Sequence, residues 1–435
     1  MKFTSTRDKN RRVGFSTAIT SCMPPDGGLY APAGEENLRN WILYLNDKTS
    51  FQSIAATLTS ALIWDEFSPI ISEAIAVKAF PFSPVVRQLD SSLYVLELFH
   101  GPTGFHKDFG FSYLFACLEY VLLMKGEKAV VAAVCTGADS TSIAHALKDK
   151  KHLTALLLFP EGETKGFDES DCVWKGGNLL PLEVKGSLDD CYRLVKELFS
   201  RRDYVEKYGL TVANTANIGR LLPQTFFYMY AFSRLKSNVC GPIYYALEAE
   251  NYGDLASGLY GWRFSLPVHG FITNCTSDLT VDGSNRAEVT DAMIPLTERA
   301  VANPAHPSNL ERLEDIFIAN PAVMKGLVFP AKVTAEDIEG AAKELFMKYG
   351  EFVEPGAACA YAAAQKSGEL IYAENGAIVL VVRDHPALFA DQIRLYCGEE
   401  PKIPERFEKN KYPVVPQKSI LPQLTEIIAV LDGIK

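Results

Sequence analysis

The chain's clearest chemical signal is the string His100-Gly-Pro-Thr-Gly-Phe-His-Lys107-Asp-Phe-Gly110, with one lysine near its end. An apolar run with helical spacing follows: Phe109, Phe111, Leu114, Phe115, Leu118, Val121 and Leu122. That spacing puts Lys107 at a helix N-terminus, after a Gly-Pro-Thr turn. Burial and a helix dipole both lower an amine pKa there. A neutral amine can attack an aldehyde and hold it as a Schiff base. Asp108 reads as the cap of the same helix.

The string resembles the cofactor-lysine motif of threonine synthases, which runs close to HGPT-x-x-x-KDFG. Other segments are similar to that family and follow its order. They are Ser5-Thr-Arg7, Phe15-Ser-Thr-Ala18 and Pro25-Asp-Gly-Gly-Leu-Tyr-Ala-Pro32 near the start. Then come Asn214-Thr-Ala-Asn217 with Arg220 and Gln224, Asn251-Tyr-Gly-Asp254, and Pro307-Ser-Asn-Leu-Glu-Arg312. The resemblance implies a lyase of threonine biosynthesis that uses pyridoxal 5'-phosphate (PLP). It would convert O-phosphohomoserine and water to threonine and phosphate. It implies Lys107 as the catalytic Schiff-base residue. It also implies His100, Asn251, Tyr252, Gly253 and Arg383 around the cofactor, and Thr136, Gly137, Ser140, Asn214, Asn217 and Arg220 around the substrate.

Departures from the family pattern cluster where phosphate would be handled. The family's SGNFG loop reads Ala249-Glu250-Asn251-Tyr252-Gly253, with Glu248 before it. A carboxylate repels a phosphate, and a Cβ narrows the backbone choices of a glycine position. The TSGDTG motif reads Cys135-Thr-Gly-Ala-Asp-Ser140, and P-x-GK-x-S reads Pro160-Glu-Gly-Glu-Thr-Lys165. The Thr-Ala-His-Pro turn reads Arg383-Asp-His-Pro386, which puts an arginine where a threonine faces the pyridine nitrogen. The Cys-Pro-His-Thr-Ala-like turn reads Glu354-Pro-Gly-Ala-Ala358. These changes leave a second reading open. It is a divergent paralogue with another substrate, or a non-catalytic amino-acid-binding protein that has lost PLP or phosphate binding.

The elements that must position these residues are legible as short apolar runs. They are Leu93–Leu98, Val130–Val134, Ala155–Phe159, Leu179–Val184, Ile243–Leu247 and Ile378–Val382. Each precedes a turn signal and a helical period, the pattern of βα units on parallel sheets buried on both faces. Residues 36–65 read as two helices. The expected class is α/β: a fold-type II PLP enzyme, with two parallel-sheet α/β domains behind an N-terminal helical cap. The expected division is an N-terminal domain over 1–90 and a catalytic region over 91–435. Two α/β domains interleave in that region, the smaller over roughly 110–235.

Composition narrows the partners. A net charge of −10 over 435 residues argues against nucleic acid and anionic membranes. No window approaches the roughly 20 apolar residues of a membrane span, and the start lacks a secretory apolar core. Nine cysteines without CxxC spacing read as reduced thiols of a cytoplasmic protein. Seven histidines form no HxxxH or HExxH pattern, so no metal is expected. The expected partner is a small amino-acid substrate, and the expected state is a monomer or homodimer.

Overall fold

The computed structural model describes residues 1–135, 138–163, 177–289, 295–317, 321–367, 376–408 and 418–434, and structural statements concern those residues. All six apolar runs form strands of two sheets. One sheet has six strands, in the order Val328–Ala331, Gly270–Asn274, Ile243–Ala246, Ala377–Val382, Leu93–Glu97, Val85–Gln88. Its neighbours pair in parallel except at the Val85–Gln88 edge, which runs antiparallel. The other sheet has five parallel strands, in the order Lys418–Ile420, Leu179–Val184, Leu153–Pro160, Ala129–Val134, Leu210–Val212.

Burial on both faces explains why these strands read as unbroken apolar runs rather than alternating ones. In Leu153–Pro160, Ala155, Leu157 and Phe159 join the main core, while Leu156 and Leu158 join a second cluster on the other face. The two sheets are linked by the helix Lys107–Lys125, which leaves the first sheet and delivers the chain to Ala129–Val134. Its C-terminus is closed by Gly126 in the left-handed conformation, whose N–H bonds to the Leu122 and Leu123 carbonyls.

After a short helix, Phe15–Ser21, the N-terminal region holds the two expected helices, Arg39–Tyr44 and Phe51–Ile63, and a third, Pro69–Ala79. It also holds an antiparallel pair, Phe3–Ser5 with Tyr30–Pro32. Ser50 and Ser68 cap the second and third helices through their hydroxyls. Phe51 meets the aromatic rings of Phe80, Phe109, Phe227 and Tyr230. The Lys107 helix is thereby clamped between the N-terminal helices and Gln224–Leu235. Among the described residues no helix is long and apolar enough to cross a membrane. The described cysteines are free thiols.

One buried cation ties the N-terminus to the strand ends. The fully buried Arg312 donates to the carbonyls of Tyr30 (2.9 Å), Thr215 (2.5 Å) and Ala216 (3.0 Å), and to Asn309 Oδ1 (2.5 Å). Arg312→Met would keep the volume and leave those acceptors without a donor. Chemical denaturation should then show a loss of about 3 kcal/mol with an unchanged denaturant slope. Wild-type stability in the variant would show that water replaces the guanidinium.

Candidate active site

One cavity is lined mostly by residues at or just past the carboxyl ends of parallel strands, where open α/β sheets bind ligands. His106 and Lys107 follow Leu93–Glu97, and Asp139 follows Ala129–Val134. Asn214, Thr215 and Arg220 follow Leu210–Val212, and Glu250, Asn251, Gly253 and Asp254 follow Ile243–Ala246. Together with Gln224 and His306 they line a cavity of about 210 Å³. The loop leading to Lys107 is zipped to the end of Ala377–Val382. The bonds are Leu98 N–H to the Val382 carbonyl, His385 N–H to the Gly104 carbonyl, and a bridge between Phe105 and Asp384.

Lys107 opens its helix as the sequence implied. Its Nζ lies 2.9 Å from Asp139 Oδ1. The expectation of a lowered amine pKa is overturned. Burial does push it down, but the negative field of Asp139, Asp384 and Glu250 outweighs burial, and the pKa is raised. Asp108 does a structural job by another route. Instead of capping the helix it accepts from the Thr103 N–H (2.9 Å) and Thr103 hydroxyl (2.8 Å), fixing the preceding turn.

Arg220 is the cavity's unspent cation. It is 4% exposed, and its Nη1 has no hydrogen-bond partner among the described residues; nor has Gln224 Oε1. A buried guanidinium donor without an acceptor calls for an anionic group of a ligand. Gly110 makes room for it, because a Cβ there would lie 2.1 Å from Nη1. Asn251 also lines the cavity. Its carbonyl accepts from Asn309, which bonds in turn to Thr215.

Other implied residues have different jobs. His100 does not line the cavity; its Nε2 is 2.7 Å from Glu97, in a network with Arg87 and Glu351. Tyr252 points its hydroxyl to Thr276. Asn217 is buried, donates to the Ile19 carbonyl and caps the next helix turn. Asn214 lines the cavity, but its amide is bonded to the Pro304 carbonyl. Ser140 is buried and is not among the lining residues. Thr136, Gly137 and Lys165 lie outside the described residues.

Arg383 does not reach the cavity wall either. It stands behind Glu250, in contact with Glu250 and Glu248, 3.8 Å from Asp254 and 4.0 Å from Glu354. Its N–H also donates to Glu354. Gly356 leaves the space for this cluster: a Cβ there would lie 2.3 Å from Glu248 and 2.6 Å from Arg383. Glu248, Glu250, Glu354, Gly356 and Arg383, drawn from three distant segments, are therefore one unit. Glu250 itself sits at φ +34°, the left-handed region that favours glycine.

Sequence reasoning missed Asp139 as the lysine's partner and the pairing of His106 with Asp384. The available signal was two charged or ionisable residues at variable motif positions, beside Lys107 and beside Arg383.

Known proteins resemble this chain along its whole length. Residues 2–79 match a family model described as the threonine synthase N terminus. Threonine synthase of Escherichia coli K12 is 30% identical, over 93% of each chain. A crystal structure of the E. coli threonine synthase superposes with a TM-score of 0.81 at 25% identity, covering all of both chains. A PLP-bound threonine synthase from Brucella melitensis gives 0.82 at 22% identity, over 100% of this chain and 99% of the other.

The charge cluster carries a pH signature. Burial pushes the Glu354 carboxyl up to about 7, and Arg383 only partly offsets it. Folded Glu354 thus holds a proton that the unfolded chain, near 4.5, releases. Its contribution to stability is full below about 4.5 and is lost as pH rises to about 7. Glu354→Gln should remove up to about 3 kcal/mol of that decline, measured as denaturation midpoints across pH. Parallel pH curves for variant and wild type would show that Glu354 is ionised throughout.

Proposed function

The chain belongs to the threonine synthase family, and from that premise we propose that this cavity turns O-phosphohomoserine and water into threonine and phosphate. The observation that carries the reading is one cavity holding both a lysine amine and an unpartnered buried guanidinium. Members of the family are PLP-dependent lyases, and the residues present fit that cofactor. Lys107 offers the amine for its aldehyde. The helix Gly253–Arg263 begins at the cavity; Asn251 Oδ1 takes its first N–H, of Gly253, at 3.1 Å, and the N–H groups that follow can receive a phosphate. Glu250 is the opposing charge there. Bound PLP would supply an electron-accepting ring that makes the substrate's α-proton acidic.

The chain's own residues then divide the work. Arg220 receives the substrate phosphate. Asn251, fixed by Asn309, stands beside the cofactor ring. Asp139 holds Lys107 charged until a ligand arrives, and a lysine amine released from it can carry protons at the substrate carbons. The domain limits at 1–90, 91–435 and 110–235 remain part of this proposal. So do the cytoplasmic location and the monomeric or dimeric state.

Borohydride reduction after incubation with PLP should leave a pyridoxyl adduct on the Lys107 peptide by mass spectrometry. An adduct on another lysine, or none, defeats the proposal. Glu250→Gly should tighten PLP binding by about tenfold, equivalent to ~1.4 kcal/mol, because it removes the repelling charge and restores glycine at a positive φ. Fluorescence titration of the apoprotein measures this, and an unchanged affinity would place the cofactor phosphate elsewhere.

A further inference from the structure

His106 precedes the cavity lysine, and its ring is nearly buried, 7% exposed, on the cavity wall. Its Nδ1 is 2.9 Å from Asp384 Oδ1, and the same oxygen accepts the His106 backbone N–H at 3.1 Å. Nε2 has no partner among the described residues. Asp384 stands where the Thr-Ala-His-Pro pattern has alanine, so the pair is a feature of this chain. We propose that His106, held by Asp384, is a second catalytic acid–base residue, taking a proton from the water that the reaction consumes. The proposal rests on the threonine synthase reading of the cavity.

Three charged groups face His106: Asp384 from the end of Ala377–Val382, Glu250 from the loop after Ile243–Ala246, and its neighbour Lys107. His106, Arg383 and Lys107 hold the Asp384 carboxyl down at about 2 despite burial, so it is an anion at neutral pH. An anion can only accept, which makes Nδ1 the protonated nitrogen and leaves the Nε2 lone pair for the cavity. The double hold on one carboxylate oxygen fixes the ring's orientation. The step moves one proton. An O–H bond of cavity water breaks, its electron pair stays on oxygen, and an N–H bond forms at Nε2. Asp384 balances the imidazolium, which returns the proton to solvent once per turnover. Lys107 is thereby left free for the protons at the substrate carbons.

The test uses His106→Gln, Asp384→Asn and the wild-type chain. With PLP loaded, the glutamine variant should still give the Lys107 adduct. Its turnover of O-phosphohomoserine should fall by about 10²-fold or more, and it should lose the decline of kcat towards acid pH. Asp384→Asn should lower turnover as well, since the ring loses the acceptor that fixes its tautomer and orientation. A glutamine variant within about threefold of wild type, with the same pH profile, overturns the proposal. Nitrogen-15 NMR of the chain without PLP should find His106 protonated on Nδ1; a dominant Nε2–H form overturns it as well. Absence of a wild-type adduct overturns the reading of the cavity, whereas an adduct with an unchanged profile overturns the histidine's role alone.

Discussion

A largely buried guanidinium must be neutralised where it lies, and Arg383 gathers its partners from two distant parts of the chain. Glu248, Glu250 and Asp254 come from the turn after Ile243–Ala246. Glu354 comes from the start of the helix Pro355–Lys366, and Gly356 supplies the room. Removing the arginine would leave four acids crowded together, two of them, Asp254 and Glu354, deeply buried, the costly outcome for such clusters. The cluster fixes the back wall of the cavity and sets its charge. It also explains why several departures from the family pattern occur together. Each would be unfavourable alone, and they are compatible as a set.

The same logic governs the front of the cavity. Carboxylates from different strand ends meet the Lys107 loop in pairs, Asp139 with the Lys107 amine and Asp384 with the His106 ring. Among the described lining residues, Arg220 has a fully buried donor without a hydrogen-bond partner. Nearby carboxylates balance part of its charge, but a buried N–H without an acceptor is costly. The unpaired guanidinium therefore marks the place where the ligand's anion belongs. The paired lysine marks a group that waits in its charged form.

The strand runs Leu93–Leu98, Val130–Val134 and Ile378–Val382 could be read from the chain because burial on both faces demands apolar residues at consecutive positions. Lys107 could be read because a Gly-Pro-Thr turn ahead of a helical period has few structural alternatives. His100, Tyr252 and Asn217 could not be placed. Their types suit a site, but which way a side chain turns depends on the partner it meets in the fold: Glu97 for His100, Thr276 for Tyr252 and Ile19 for Asn217. Asp108 illustrates the same limit across five positions: its place in the sequence suits a cap, and its carboxylate turns back to Thr103 instead.

What the sequence determined by itself was the local grammar: βα units, the lysine at a helix start, and the list of charged residues that stand in unusual places. What only the tertiary structure decided was which of those charges share a space. Glu250 read only as a phosphate-repelling carboxylate in a loop, and it also forms an ion pair with a residue 133 positions later. Asp139 turned the lysine's pKa upward when its helix position alone argued for downward. Charge–charge energies depend on separations of a few ångströms through a low-dielectric interior, and sequence spacing carries no information about such distances once the chain has crossed between two sheets.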